Sequence, residues 1–158
     1  MTQIVDFKLS EHYSFFDLTD SNEHPELVEE NRRYAEQVSD GSIRIMNNLE
    51  LLCTDILEKV YEECGEVPQV LSGLRFGRLN RAVGGAWNSL HKKGMAVDFT
   101  LYNTSIWDLF RRIYEYDIFG FHKLIYYKGQ YFIHASLPTG NGDGKVLVKD
   151  KGKFKVMR

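Results

Sequence analysis

The stretch S-L-H-K-K-G-M-A-V-D-F, residues 89–99, decides the fold because it places an aspartate inside an apolar run. Residues 95–101 have the composition of a buried β-strand, and an ionised side chain without a partner is costly to bury in such a strand. Side chains alternate along a strand, so Val97 and Phe99 share one face while Asp98 points to the other. Asp98 therefore either reaches solvent or faces a cation.

Two histidines can reach the same point as Asp98. His91 stands just before the strand, and Gly94 lets the chain turn between them. His134 lies in a second predicted strand, residues 131–137, and would meet Asp98 if the two strands were neighbours in one sheet. Two imidazoles and one carboxylate suit zinc with one position left for water, as in hydrolytic zinc sites. From the residues alone, a hydrogen-bonded structural histidine and an aspartate at a strand edge stay open as the alternative.

Composition bounds the class of protein. The chain has 158 residues, of which 43% are apolar and 27% charged, as in ordinary globular proteins, and we expect one domain over residues 1–158. The net charge of −2 gives no reason to expect nucleic-acid binding, and no apolar run is long enough to span a membrane. Cys53 and Cys64 would stand about 16 Å apart along one helix, so we expect free thiols.

The first half of the chain predicts helices. An N-terminal arm, residues 1–22, precedes a helix from Pro25 to about Val38, and Ser42 can cap the next helix. That second helix has the clearest periodicity in the chain, because apolar residues step by three and four along one face until Gly65 ends it. Its apolar positions are Met46, Leu49, Cys53, Ile56, Leu57, Val60 and Cys64.

The second half predicts strands with one intervening helix. A C-terminal extension, residues 138–158, holds a loop and a last hairpin that pairs residues 146–148 with residues 154–156. Helices first and strands later indicate an α+β fold with helices packed on a small antiparallel sheet. The remaining predicted elements are strands over residues 67–71, 95–101, 123–128 and 131–137, a helical turn over residues 79–83, and a helix that Thr104 or Ser105 caps and that runs to about Tyr114.

Three motifs resemble the zinc D-alanyl-D-alanine carboxypeptidase-like peptidases, whose fold is shared with the hedgehog signalling domain. H-x-x-G-x-A-V-D at residues 91–98 is followed by F-I-H-A-S at residues 132–136. L-S-G-L-R-F-G-R-L-N-R-A-V-G-G, residues 71–85, is similar to the family's S-G-Y-R-S…L-N-x-A-V-G-G segment. K-L-S-E-H-Y-S-F-F-D-L-T, residues 8–19, is similar to an opening common among phage and prophage members. The resemblance covers residues 8–137.

The resemblance assigns roles to individual residues. It implies that His91, Asp98 and His134 are zinc ligands. Arg75 matches an arginine that contacts substrate and supports the developing oxyanion, a task that suits a planar and permanently charged guanidinium. Ser89 matches a serine that lines the substrate cleft, although its hydroxyl would equally serve to cap the local turn.

The resemblance also implies a function. It predicts a zinc metallopeptidase, endolysin-like and encoded by a phage or prophage, that acts on peptidoglycan stem peptides in the cell wall. We expect other virion proteins as further partners, and neither nucleic acid nor membrane. Residues 1–16 lack the pattern of a secretory signal, so we expect synthesis in the cytoplasm, with the protein carried in a virion or released by lysis machinery.

One part of the family's pattern is missing. Relatives carry a glutamate that accepts a proton from the zinc water and passes it to the leaving amine, and this step typically contributes ~10²–10⁴-fold in rate. Spacing places Lys128 at that position and the L-I-x-E context places Tyr127, but neither is a carboxylate. The chain is then a peptidase with a substitute base, a slow peptidase, or an inactive module of the same fold that serves as a virion or tail structural or interaction protein. The candidates for a substitute base are His122, Tyr127, Tyr131, Glu62 and Glu63.

Overall fold

Two helical stretches follow the N-terminal arm. The computed structural model describes residues 2–37 and 44–158, so Val38 and Ser42, a predicted helix end and cap, lie outside the described residues. A 3₁₀ turn over Pro25–Leu27 leads into helix α1, Val28–Gln37, because proline fits the first turn of a helix. The helix predicted from Pro25 is therefore confirmed.

The second helical stretch is continuous from Ile45 to Cys64. It consists of α2 (Ile45–Leu51), a π-helical segment (Leu52–Leu57) and α3 (Glu58–Cys64). Gly65 ends it with a left-handed φ of 75°, as predicted. Both cysteines are free thiols. The predicted apolar face is buried at its centre, at Leu49, Cys53, Ile56, Leu57 and Val60.

The sheet has six strands in the order β1-β2-β4-β3-β5-β6. All neighbouring strands are antiparallel, as predicted, except that β5 runs parallel to β3. Asp143 ties the loop before β5 to the residue before β3, because its carboxylate accepts hydrogen bonds from Thr139 N and Gly140 N and contacts His122 Nδ1 at 2.7 Å. The loop therefore starts β5 beside the start of β3. The strands are β1 (Gln69–Ser72), β2 (Ala96–Thr100), β3 (Lys123–Tyr127), β4 (Phe132–Ser136), β5 (Lys145–Asp150) and β6 (Lys153–Val156).

Three short helical elements connect the strands. Helix α4, Gly77–Ala82, and a 3₁₀ turn, Leu90–Lys93, lie between β1 and β2. Helix α5, Ile106–Glu115, follows β2, and the Ser105 hydroxyl caps it by accepting a hydrogen bond from Asp108 N. Of the two predicted caps, the structure therefore selects Ser105.

The sheet has two different faces. One face packs against the helices and supplies the core with side chains such as Val97 and Ile133. The opposite face carries Asp98 and His134, because strand alternation turns them away from this core. The predicted α+β fold, with helices packed on an antiparallel sheet, is thus confirmed, and among the described strands β5 is the one that pairs in parallel.

The N-terminal arm is part of the packed structure. Phe15 and Leu18 are fully buried in the main core, and Tyr13 is nearly so. Leu74 N donates to Leu18 O at 2.8 Å, so the arm lies against the loop that follows β1. Within residues 2–37 and 44–158, none of the helices has the length and apolar character needed to cross a membrane.

Candidate metal centre

Strand register brings Asp98 and His134 together. Strands β2 and β4 are antiparallel neighbours, and Asp98 lies directly opposite His134. Directly opposed residues in an antiparallel pair point to the same face with their Cβ atoms about 5 Å apart. Asp98 Oδ1 and His134 Nδ1 are 2.9 Å apart.

His91 reaches the same point from the turn before β2. Ser89 Oγ accepts a hydrogen bond from His91 N and caps the 3₁₀ turn, while Gly94 ends it with a φ of 68°. This conformation favours glycine, and it turns the chain so that His91 packs over the sheet. His91 is 1% exposed, and its Nε2 lies 3.3 Å from Asp98 Oδ1.

The three side chains form a group that fits zinc. One nitrogen from each histidine and one Asp98 oxygen all lie within 4.8 Å of one another. Zinc bonds of about 2.0–2.2 Å in a tetrahedron would separate neighbouring ligand atoms by roughly 3.3 Å, close to the distances from Asp98 Oδ1 to the two imidazoles. In the described part of the chain His91 Nε2 is buried without a hydrogen-bond partner, which suits a nitrogen that donates its lone pair to a metal.

The electrostatics of the cluster favour a neutral imidazole beside an ionised carboxylate. Burial lowers the pKa of His91, although the neighbouring Asp98 opposes this shift. Burial alone would raise the pKa of Asp98, but His91 and His134 outweigh it and hold that pKa well below its usual range. Neutral histidine and ionised aspartate are the forms that coordinate zinc.

A backbone carbonyl from the S-G-L-R segment orients His91. The His91 Nδ1 lies 2.8 Å from Gly73 O, which fixes the tautomer with the proton on Nδ1 and leaves Nε2 free. A side chain at Gly73 would meet Leu18 O at 2.3 Å, so glycine is required by the close approach of the arm. Sequence reasoning missed this role of Gly73, although the S-G-x-R motif itself was the signal.

Arg75 borders the cleft beside the metal group. Arg75 N donates to His91 O at 3.0 Å, which ties the S-G-L-R loop to the 3₁₀ turn. Its Nε is buried without a hydrogen-bond partner among the described residues, and burial lowers its pKa while Asp98 opposes the shift. The cleft has a volume of about 400 Å³, and both Arg75 and Asp98 line it.

Ser89 has a structural contact in this arrangement. Its hydroxyl accepts the hydrogen bond from His91 N at 3.2 Å, which is the capping role that the sequence left open. The cleft lining within the described ranges includes Ser72 of β1 but not Ser89. The structure therefore connects Ser89 to the site through the position of His91.

Of the two positions predicted for the relatives' glutamate, Tyr127 lies on the face of the sheet that carries the metal group. Tyr127 pairs with Phe132 across β3 and β4, two positions from His134 and on the same face. Burial and the Asp98 charge raise the pKa of Tyr127, while Arg75 lowers it. The Lys128 side chain is 64% exposed and its Nζ lies 3.6 Å from Asp150, at the tip of the last hairpin.

The other candidate bases lie away from the cluster. His122 is held by Asp143 at the start of β3, and Tyr131 is 65% exposed at the turn before β4. Glu63 pairs with Arg112 of α5 at 2.9 Å, and Glu62 pairs with Lys59, both on the helical side of the molecule.

Besides Asp98, two carboxylates line the cleft: Asp20 of the N-terminal arm and Glu23 just after the arm. Both are part of the wall of the same cleft as Arg75. Sequence reasoning missed both, because only the packing of the arm against the loop after β1 brings them there. Asp20 Oδ1 lies 3.9 Å from Arg32, whereas Glu23 has no ion pair within the described residues.

The family model described as Peptidase M15 matches residues 25–136. The chain belongs to the peptidase M15 family. This zinc-dependent family of D-alanyl-D-alanine carboxypeptidase-like proteins is the one predicted from residues 71–85, 91–98 and 132–136. No curated protein matches the chain. The match includes His91, Asp98 and His134, but residues 8–19 and strands β5 and β6 lie outside it.

Proposed function

We propose that this M15 protein is a zinc peptidase that hydrolyses peptide bonds in peptidoglycan stem peptides. The observation that carries the proposal is the convergence of His91, Asp98 and His134 beside a cleft that Arg75 lines. When bound, zinc supplies Lewis-acid polarisation of the scissile carbonyl and acidification of a water molecule.

The residues around the cluster bind and orient the substrate. The unpartnered Nε of Arg75 is a buried donor that a substrate carboxylate or a developing oxyanion would satisfy, and a buried donor without a partner favours such a ligand. Tyr127 keeps its phenolic proton because burial and the Asp98 charge raise its pKa. It is therefore suited to donate a hydrogen bond to substrate and unsuited to act as the base.

A carboxylate just after the arm, Glu23, takes over proton transfer in this proposal. Glu23 lines the same cleft as Asp98 and is not engaged in an ion pair among the described residues. A carboxylate at this wall can accept a proton from water in the cleft and return it to the leaving amine. Because Glu23 is exposed just after the arm, we expect slower catalysis than from a base fixed on the sheet.

Digestion of purified peptidoglycan tests the proposed activity. The zinc-loaded full chain is expected to release new stem-peptide ends, detected by mass spectrometry, and the Asp98→Asn variant to release none. His122→Ala serves as the matched control, because this histidine contacts Asp143 rather than the metal group. Absence of new ends with zinc bound would contradict the peptidase and favour the alternative below.

The alternative is a module without catalytic activity that keeps the metal group for binding or stability. The observation that favours it is that neither position predicted for the family's glutamate, Tyr127 or Lys128, holds a carboxylate. In that case the protein serves as a structural or interaction component of a virion or tail. The peptide would then bind at the cleft and dissociate uncut.

We further propose that the protein is encoded by a phage or prophage, made in the cytoplasm, and virion-associated or released by lysis machinery. The resemblance of residues 8–19 to phage and prophage members supports this origin. Mass spectrometry of purified particles and of the lysate from an induced culture tests it, and absence from both would contradict it.

A further inference from the structure

The face of the sheet that carries the metal group continues outward to the last hairpin. Phe132, Tyr127, Lys149 and Phe154 are successive cross-strand neighbours on β4, β3, β5 and β6. The Phe132 and Tyr127 rings stack with their centroids 4.3 Å apart. Lys149 Nζ lies 5.6 Å from the Tyr127 ring centroid and 5.0 Å from that of Phe154. The hairpin surface, defined as Tyr127, Lys149 and Phe154, is thus one connected row.

A second cavity joins this surface to the metal cleft. It has a volume of about 430 Å³ and lies between the turn that joins β3 to β4 and the turn that joins β5 to β6. Its lining includes Tyr127, three lysines and one carboxylate, Asp150, which lies 3.6 Å from Lys128 Nζ and leaves the lining with a net positive charge. The lysines are Lys128, Lys149 and Lys151. Gln130 lines both this cavity and the metal cleft. A bound peptide that leaves the cleft at Gln130 therefore enters the cavity that Lys149 lines.

The charge and exposure of this face indicate an anionic partner with apolar parts. On this face the described strands β3, β5 and β6 carry the lysines Lys123, Lys145 and Lys149 and no carboxylate. Phe154 is 53% exposed, so a large part of its ring beside Lys149 is open to contact with a partner. Lysine supplies the attraction and the aromatic rings supply apolar contact area.

We propose that the hairpin surface binds a carboxylate-bearing residue of an extended peptide substrate, and that Lys149 determines this specificity. The proposal rests on the proposed peptidase function and names which substrates the same site prefers. Neighbouring strands are about 4.8 Å apart, so β5 lies roughly 10 Å from β4 and its metal ligand His134. An extended peptide advances about 3.3–3.6 Å per residue, so the carboxylate stands about three residues from the scissile bond.

Binding of two matched peptides tests the proposal. One probe is a synthetic peptidoglycan stem pentapeptide with a free α-carboxylate on its second residue, and the other is the same peptide with that carboxylate amidated. Calorimetry on the zinc-free full chain measures affinity without turnover. We expect the free carboxylate to bind about tenfold more tightly than the amide, and Lys149→Glu to abolish this difference.

Lys155→Glu is the matched control for charge. Lys155 lies on the same hairpin and pairs with Val148, so its side chain points to the opposite face while the change in net charge is identical. We expect its affinity for the free-carboxylate peptide to stay within about twofold of the parent. Lys149→Arg keeps a cation beside both rings and is expected to keep the preference for the free carboxylate. This variant therefore distinguishes loss of the charge at position 149 from loss of the fold.

The outcomes separate this proposal from the peptidase itself. Equal weakening by Lys149→Glu and Lys155→Glu, or no effect of amidation, would overturn the role of Lys149 even if zinc-loaded protein cleaves the peptide. Failure of both peptides to bind would overturn it as well. A preference that depends on Lys149, found together with no cleavage after zinc loading, would support the surface and contradict the peptidase.

Discussion

The metal-binding half and the proton-transfer half of the candidate site are built differently. Each candidate metal ligand is fixed by main-chain structure: Asp98 and His134 by strand register, and His91 by a capped turn and the Gly73 carbonyl. The group proposed for proton transfer, Glu23, is a single exposed side chain of the cleft lining, and Tyr127 on the sheet keeps its phenolic proton. A change of the proposed base would therefore leave the candidate metal ligands undisturbed.

Tyr127 shows what an aromatic residue contributes at this position of β3. Its ring stacks on Phe132 with centroids 4.3 Å apart, and cross-strand aromatic pairs contribute about 0.2–1 kcal/mol to sheet stability. A carboxylate at this position would give up that contact and would stand beside Asp98. Packing and proton transfer therefore compete at this position, as is common where a functional residue lies on a packed sheet.

The largest expected effect comes from His91→Ala, which removes one candidate ligand from the metal-binding half of the site. We expect zinc affinity to fall by more than about 100-fold, because losing a ligand costs more than losing its supporting hydrogen bond. Zinc at 100 times its dissociation constant stabilises a protein by about 2.7 kcal/mol, and the variant should lose this stabilisation. Elemental analysis and thermal unfolding with and without zinc measure both effects. Equal zinc content in His91→Ala and the parent would contradict the ligand assignment.

Tyr127→Glu tests whether the missing glutamate limits the rate of peptide hydrolysis. We expect the rate of peptidoglycan hydrolysis to rise by about 10²-fold or more, since this carboxylate would stand on the face of Asp98 and His134. Lys128→Glu is the matched control, and it should leave the rate unchanged because that side chain extends toward Asp150. A gain from Lys128→Glu but not from Tyr127→Glu would contradict the assignment of position 127 as the place for the base.

The sequence predicted the parts of the site that depend on local pattern. The period of two along a strand placed Asp98 on the face away from Val97 and Phe99, and the structure agrees. Counting residues back from His134 selects Lys128, whose side chain extends toward Asp150 at the tip of the last hairpin. The L-I-x-E context, which selects Tyr127, followed the strand face and so gave the position that the structure places at the site.

Tertiary packing supplied what the sequence could not. Position 73 must be glycine because a Cβ there would lie 2.3 Å from Leu18 O of the arm, a contact between segments far apart in the chain. The packing of the arm against the same loop also brings Glu23 to the cleft. The parallel pairing of β5 with β3 depends on the contacts of Asp143 with His122 and with the loop, which no periodicity encodes.

Gly73→Ala tests how much zinc binding depends on the Gly73 carbonyl that orients His91. The added methyl group would meet Leu18 O, so the loop must shift and carry the carbonyl that orients His91 with it. We expect zinc affinity to fall by about 10–100-fold, the usual effect of losing a second contact behind a ligand. Gly77→Ala is the control, because its nearest neighbour is the flexible end of Arg81 at 3.5 Å. Unchanged zinc affinity in Gly73→Ala would show that His91 keeps its orientation without this carbonyl.

Glu23→Gln is expected to have the smallest effect, because it removes a base that is neither buried nor fixed by the sheet. If Glu23 carries the proton, the turnover number should fall by about tenfold while the Michaelis constant stays the same, since the amide still fills the same wall of the cleft. Glu26→Gln, on the adjacent turn and outside the cleft lining, should have no effect. In a Tyr127→Glu background the Glu23→Gln change should also have none, because the base on the sheet then carries the proton. A tenfold loss that persists in that background would show that Glu23 acts by positioning substrate, and proton transfer would have to come from a group outside both halves of the site.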